Sequence, residues 1–324
     1  MMNHLRRLLT ILSVLFILTT SGLTILYGHV RKETKHTFTT QQSASAKVIN
    51  KKPISVLVMG TDVGALNRGN TGGNTDTLEL ITINPIKKSI LITSIPRDTL
   101  VKIKNKSAIH PYAKINSAYQ TGGAKQTVKQ VKELLNIPID YYAVVNMGVL
   151  KKVVNSVNGV SVDNPFAFNY EGHYFPKGEQ HLDGNLALKY SRMRYDDPNN
   201  DYGRQKRQQQ IIVSIIKQFK RHGSAESANE IIKAIGKGVV TNVPINDIEP
   251  LYDNYHLAME QVSTDHLQGE DANVNDTAYQ IVDPKELRRV SNKVRKQLNL
   301  SDQPLLNNET DLYDERDQLE SIIK

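Results

Sequence analysis

The stretch ALKYSRMRYDDPNNDYGRQKRQQQ, residues 187–210, sets Arg192, Arg194 and Arg204 among Asp196, Asp197 and Asp201, just ahead of an apolar helical pattern. Guanidinium groups offer forked, bidentate donors suited to phosphate oxygens, so the first question is which of them face inward. Projected on a helix at about 100° per residue, Ile211, Ile212, Ile215, Ile216 and Phe219 define one apolar face, and Arg204 and Gln208 fall on it. Lys206, Gln210 and Lys217 point the opposite way, toward water, with Arg207 and Gln209 on the flanks. An arginine aimed inward must be paired or meet an anion, because burying an isolated charge is prohibitive. Asp196, Asp197 and Asp201 are its candidate partners, and a bound phosphate is the alternative. Arg192 and Arg194, two apart, share a face if the chain between them is extended, which makes a fork for a pyrophosphate. A nucleic-acid surface is disfavoured, since only Tyr190, Tyr195 and Tyr202 interleave with the charges.

A second group of charges comes from a hairpin. TLELITIN and SILITSIP read as strands joined by the turn PIKK, and pairing Ile83 with Ile90 sets Asp76 opposite Arg97, with Asp98 beside it. Two carboxylates and a guanidinium then meet at one end of a sheet. Asp62 lies at the head of the preceding loop, TDVGALNRGNTGGNTD, where aspartates are also common as ordinary turn residues. That loop resembles a P-loop only superficially, because Asn70 stands where the phosphate-binding lysine is needed.

The elements that must hold these residues follow from the apolar patterning. ISVLVMG, residues 54–60, is a continuous β-branched run, as expected of a strand buried on both faces. Residues 124–137 repeat apolar side chains at Val128, Val131, Leu134 and Leu135 behind a TGG break, which predicts an amphipathic helix. YYAVVNM reads as a strand, and GVLKKVVNSVNGV as a helix closed by Asn158-Gly159. Strands and helices in alternation predict an α/β fold, a mixed central sheet flanked by helices in α-β-α layers.

At 324 residues, with 41 Lys and Arg against 33 Asp and Glu, the chain carries +8, which favours anionic partners without choosing among them. It has no cysteine, which excludes disulfides, thiol nucleophiles and cysteine-ligated metals. Its nine histidines fall in no HExxH-like spacing. Residues 8–28, uncharged and mainly apolar after Arg6 and Arg7, are long enough to span the roughly 30 Å bilayer core. The alternative, a cleaved signal peptide, places its small-residue site at ASA, residues 44–46, too far from the apolar run. Charges on both flanks leave orientation open. Residues 29–52 read as a linker, 53–298 as the main domain with its core at 54–220, and 299–324 as an acidic tail.

VLVMGTD, NTDTLELITINPIKKSILITSIPRDT, KINSAYQTGGA and HLDGNLALKYSRMRYDDPNNDYGRQKRQQQ, in this order, resemble the LytR-CpsA-Psr family. The resemblance runs from about residue 54 to 220 and more loosely to 298. It implies a membrane-anchored enzyme of Gram-positive-type bacteria, with residues 1–7 cytoplasmic and the domain extracytoplasmic. It also implies the reaction: transfer of a glycopolymer phosphate, such as wall teichoic acid or a capsular or secondary wall polysaccharide, from undecaprenyl pyrophosphate to peptidoglycan. Carried over, Asp62 and Asp76 resemble the aspartates that bind Mg²⁺, or Mn²⁺ in its place. Arg97 resembles the arginine required for transfer and Asp98 its neighbour, while Arg192, Arg194, Arg204 and Gln208 resemble the pyrophosphate ligands, oriented by Asp201. Lys114 and Tyr119 are candidates for a lipid channel. Asn74 departs from the family, many of whose members have arginine there, though Arg68 could replace that contact. Two other readings remain: a polyprenyl-phosphate-binding envelope regulator without transfer activity, and a lipid pyrophosphatase.

Overall fold

The computed structural model describes residues 45–61, 73–103, 112–222, 238–274 and 276–306. The apolar span expected over 8–28, Asp62 with its loop and the tail beyond 306 lie outside them. Among the described residues no helix is long and apolar enough to cross a membrane.

The chain begins with helix α1 (Ala46–Ile49), then strands β1 (Ile54–Thr61), β2 (Thr75–Asn84), β3 (Ser89–Ser94), β4 (Leu100–Lys102) and β5 (Tyr112–Lys114). Helix α2 (Ser117–Leu135), strand β6 (Tyr141–Asn146) and helix α3 (Met147–Ser156) follow. Next come β7 (Val160–Asn164), β8 (Phe168–Tyr170), β9 (His173–Phe175), β10 (Gly178–Leu182), α4 (Gly184–Arg192) and α5 (Asn200–His222). The chain continues with β11 (Val239–Thr241), α6 (Ile248–Tyr255), β12 (Gln261–His266), β13 (Glu270–Val274), β14 (Thr277–Ile281) and α7 (Pro284–Gln297).

A six-stranded sheet has the order β11-β6-β1-β2-β3-β12, and helices flank this mixed sheet. Strand β1 is buried almost throughout, as its unbroken apolar run requires. Strands β2 and β3 keep the register expected from their sequences: Ile95 N–H donates to Leu78 O at 2.9 Å and Thr82 Oγ1 to Leu91 O at 3.4 Å. Helix α2 is two helical stretches joined at Gly122 and Gly123, whose φ of 64° only glycine adopts without penalty, so the TGG break lies within the element instead of ahead of it.

By Cα proximity the chain forms two compact units. The first takes the chain up to Ile54, Ile83–Ile90 and Ala143–Ser263; the second takes Ser55–Thr82, Leu91–Tyr142 and the chain from Thr264. In the first, α3 packs on α4, α4 on α5, and α5 on β7. Residues 45–52 correct the reading of 29–52 as linker at its end. Val48 is fully buried, α1 packs on α6, and Tyr255 donates its hydroxyl to the Lys52 carbonyl. In the second unit α7 packs on α2, and the ribbons β4-β5 and β13-β14 share a small core of Leu100, Tyr112, Val274, Tyr279 and Ile281.

Candidate active site

The charged residues singled out in the sequence fall into two clusters, one in each unit. In the second unit, the β2-β3 register puts Asp76, at the start of β2, across from Arg97, which follows β3, and Arg97 Nη1 lies 2.5 Å from Asp76 Oδ1. Arg97 Nε is 3.6 Å from Asp98 Oδ2, and Lys114 Nζ closes the far side of Asp98 at 2.9 Å. Lys114 also sits 5.7 Å from the centre of the Tyr279 ring, a cation–π distance. Lys114, a channel candidate by resemblance, is thus a member of the arginine-aspartate cluster. Tyr119 is half-buried on the first turn of α2, its hydroxyl pushed up by burial and further by Tyr142.

The backbone of the Arg97-Asp98 turn is held on three sides. Thr99 N–H and Oγ1 both donate to Pro96 O, at 3.1 and 2.7 Å, closing the turn locally. Asn116 N–H donates to Arg97 O at 3.2 Å, and Gln280 N–H donates to Asp98 O at 2.9 Å. The support from β14 has no local signal in the sequence, because Gln280 is remote from the turn it holds. These bonds fix the carbonyls, so the two side chains project from a backbone with little freedom.

In the first unit the cluster is built on α4, the loop after it and α5. Arg204 is buried at 6% exposure, and Lys206 is exposed, as the projection requires. Arg204 takes Asp201 with two donors, Nε to Oδ1 at 3.0 Å and Nη2 to Oδ2 at 3.1 Å. Arg194 Nε approaches the same carboxylate at 3.8 Å, and Gln205 Nε2 donates to it at 3.1 Å. Two guanidiniums meeting on one carboxylate leave a local excess of positive charge, which suits an anion. Gln208 Nε2 donates to Ser191 O at 3.3 Å, while its Oε1 is buried with no hydrogen-bond partner.

Three expectations need correction here. Arg192 and Arg194 do not form a fork on an extended segment, because Arg192 ends helix α4 and Arg194 follows in the loop. Arg192 Nη1 instead meets Glu171 Oε1 at 2.7 Å, in the turn between β8 and β9. Gln210 is only partly exposed and is held by its neighbours: its Oε1 accepts from Tyr190 Oη at 2.8 Å and its Nε2 donates to Asp163 O at 2.9 Å. Arg207, placed on the flank by the projection, is the most deeply buried arginine of the segment, at 2% exposure.

Arg207 and Asp197 are the residues the sequence did not single out as essential. Arg207 donates to the Asp197 carboxylate, to Tyr190 O at 3.0 Å and to Met193 O. Its guanidinium lies 5.6 Å from the Phe168 ring centre and 5.8 Å from that of Tyr190. The pair therefore ties the loop carrying Arg194 to α5. Gly203 makes this possible, because a Cβ there would stand 1.9 Å from Asp197 Oδ2. The glycine of DYGRQ is required by the close approach of a carboxylate.

Asp76 is the one member of the expected metal pair among the described residues, which contain no group of three or more His, Asp or Glu suited to a metal. Mg²⁺ typically takes one or two carboxylates and completes its shell with water and substrate phosphate, so a sparse set of hard oxygens fits it.

The sequence profile of the LytR_cpsA_psr family matches residues 21–296. A curated relative from Enterococcus faecalis, named polyisoprenyl-teichoic acid–peptidoglycan teichoic acid transferase TagU, is 37% identical over 292 residues, covering 89% of this chain and 95% of the relative. Among solved structures, a Streptococcus agalactiae protein superposes with a TM-score of 0.74 at 35% identity, covering 82% of this chain and 94% of that one. The structure of TagT bound to LIIa-WTA superposes with a TM-score of 0.64 at 27% identity, covering 78% and 93%.

Proposed function

The chain belongs to the LytR-CpsA-Psr family, and from that membership we propose that it is a membrane-anchored phosphotransferase that moves a glycopolymer phosphate from a polyprenyl-pyrophosphate carrier to peptidoglycan. Teichoic acid, the substrate in the names of the TagU relatives, is the first polymer to test. Residues 8–28 anchor it, with the domain outside the membrane.

An acceptor hydroxyl of peptidoglycan attacks the phosphorus that bears the glycopolymer. The new P–O bond gives a phosphodiester, the bond to the carrier phosphate breaks, and the hydroxyl proton is balanced by the lipid monophosphate released. Such transfers depend chiefly on positioning and on stabilising charge that builds on the phosphate oxygens. Arg97 supplies a fixed cation, held by Asp76 and Asp98, and Lys114 keeps Asp98 in place. Arg194 and Arg204 supply further cations steadied by Asp201, while the side-chain oxygen of Gln208, which lacks a donor, can accept from a substrate hydroxyl but not bind a phosphate oxygen. Arg192 already gives Nη1 to Glu171, so it would join them with its other guanidinium donors or by exchanging Glu171 for phosphate. Asp76 with Asp62 would hold Mg²⁺, whose charge would offset that of the pyrophosphate.

The observation that carries this reading is the meeting of Arg97 with Asp76 and Asp98 at the end of the hairpin. Arg97→Ala should abolish transfer to peptidoglycan in a purified assay with Mg²⁺ while the protein stays folded. Near-normal turnover would overturn the role of Arg97. The product decides between transfer and hydrolysis: a peptidoglycan-linked phosphodiester supports the reading, and free glycosyl phosphate overturns it.

A further inference from the structure

Tyr195 follows Arg194 in the loop between α4 and α5 and is 88% exposed. A lone exposed aromatic is common on protein surfaces and means nothing by itself. This one has built surroundings. The Arg194 guanidinium lies 5.6 Å from its ring centre, and Arg194 is in turn drawn to Asp201 at 3.8 Å. A ring steadied in this way loses less rotamer freedom when a ligand covers it.

A second phenol belongs to the same neighbourhood. Tyr170, at the end of β8, has its hydroxyl raised chiefly by burial, lowered by Arg192, and raised again by Glu171 and Tyr195, so it lies within electrostatic reach of these three groups. The turn after Tyr170 is clamped to α4: Arg192 Nη1 meets Glu171 Oε1, and Lys189 Nζ donates to Glu171 O, each at 2.7 Å. Beneath it Phe168 stacks on Phe175 and on Tyr190, with ring centres 4.8 and 5.9 Å apart. The exposed Tyr195 ring thus stands beside an arginine, and the partly buried Tyr170 ends the strand that begins with the stacked Phe168.

Exposed aromatic faces next to guanidinium donors suit a ring that presents C–H bonds to a π face and carries a phosphate. The axial hydrogens of a pyranose are weakly positive, and the face of a phenol ring is negative.

We propose that Tyr195 is a stacking platform for the pyranose ring adjoining the transferred phosphate, and that it helps decide which sugar is accepted. The proposal rests on the transferase reading above. The ring can belong to the donor polymer or to the peptidoglycan acceptor, which share this chemistry.

The chain has no tryptophan, so Tyr195→Trp in the full-length protein introduces a single indole reporter. Its emission is titrated with a soluble glycosyl phosphate matching the donor head group, with a muropeptide fragment, and with inorganic phosphate. A saturable change with one saccharide and none with phosphate alone supports the platform and identifies which substrate supplies the ring. Tyr195→Ala should raise KM for that substrate by about tenfold with kcat changed less than about twofold, and Tyr195→Phe should behave as the native enzyme. No emission change with either saccharide, together with unaltered KM values in Tyr195→Ala, overturns the platform. If that result comes with transfer still abolished by Arg97→Ala, the transferase reading stands; if Arg97→Ala transfers normally, it is that reading which fails.

Discussion

At the scale of single residues the sharpest contrast lies between Arg204 and Arg207, three positions apart on α5. Arg204 is aimed at Asp201 near the phosphate-binding candidates, whereas Arg207 is sealed against Asp197 with both side chains 2% exposed. Taking Arg207 away leaves a buried carboxylate without its cation, which typically costs about 3–5 kcal/mol. Arg207→Met should therefore lower the denaturant midpoint strongly, and Arg207→Met with Asp197→Leu should recover much of the loss, because the stranded charge is gone. A single variant as stable as the native protein would show that the pair is not a structural clamp. The helical projection assigned Arg204 and Lys206 correctly because both depend only on the 100° period and the apolar stripe of Ile211, Ile215 and Ile216. It misassigned Arg207 and Gln210 because their surroundings come from other elements. The loop after α4 folds over Arg207, and Tyr190 with Asp163 captures Gln210. Arg192 was read as half of an extended fork because the end of α4 is not marked by glycine or proline.

At the scale of elements, the β2-β3 hairpin was legible because a strand period and a short turn together fix register. The β13-β14 ribbon was not, since its role arises from contacts remote in sequence; the helical spacing of PKELRRVSNKVRKQLNL marks α7, but not that it packs on α2. Helix α7 is fastened to the end of β12 by Asp265, which receives Arg289 Nη1 at 2.9 Å and Lys293 Nζ at 2.8 Å. Burial is the largest single influence on this carboxyl and opposes ionisation, yet donors from Arg289, Lys293 and the His266 N–H together hold it below its ordinary 3.8. A carboxyl depressed in the folded state stabilises the fold above its unfolded value, about 3.9, and loses that contribution as pH falls through the lower folded value. Asp265→Asn should thus be less stable than the native protein at pH 7, and the gap should narrow on acidification below about pH 4. Urea midpoints measured across pH 7 to 3 check this, and a gap that does not change with pH would remove Asp265 as its source.

At the scale of the whole chain, the boundary between tether and fold can be placed from the contacts of α1. The polar composition of 29–52 suggested a linker throughout, because sequence patterning cannot show that four residues, AKVI, will find a partner late in the chain. They do: Ser45 N–H donates to Asp247 Oδ1 at 2.5 Å, Asn254 Nδ2 to Val48 O at 3.2 Å, and the buried Tyr255 hydroxyl reaches the Lys47 carbonyl at 3.4 Å. Removing residues 1–40 should therefore leave the thermal transition of the remaining domain unchanged. Removing residues 1–52 uncovers the side of α6 that Val48 covers and takes these donors and acceptors away, so Tm should fall on the order of 5 °C, as expected for losing one fully buried valine and its hydrogen bonds in a domain of this size. Equal transitions for the two truncations would return α1 to the tether. If the expected difference is found, the folded domain begins near Ser45, and the tether of the proposed membrane anchor at residues 8–28 is shorter than the polar composition of 29–52 suggested.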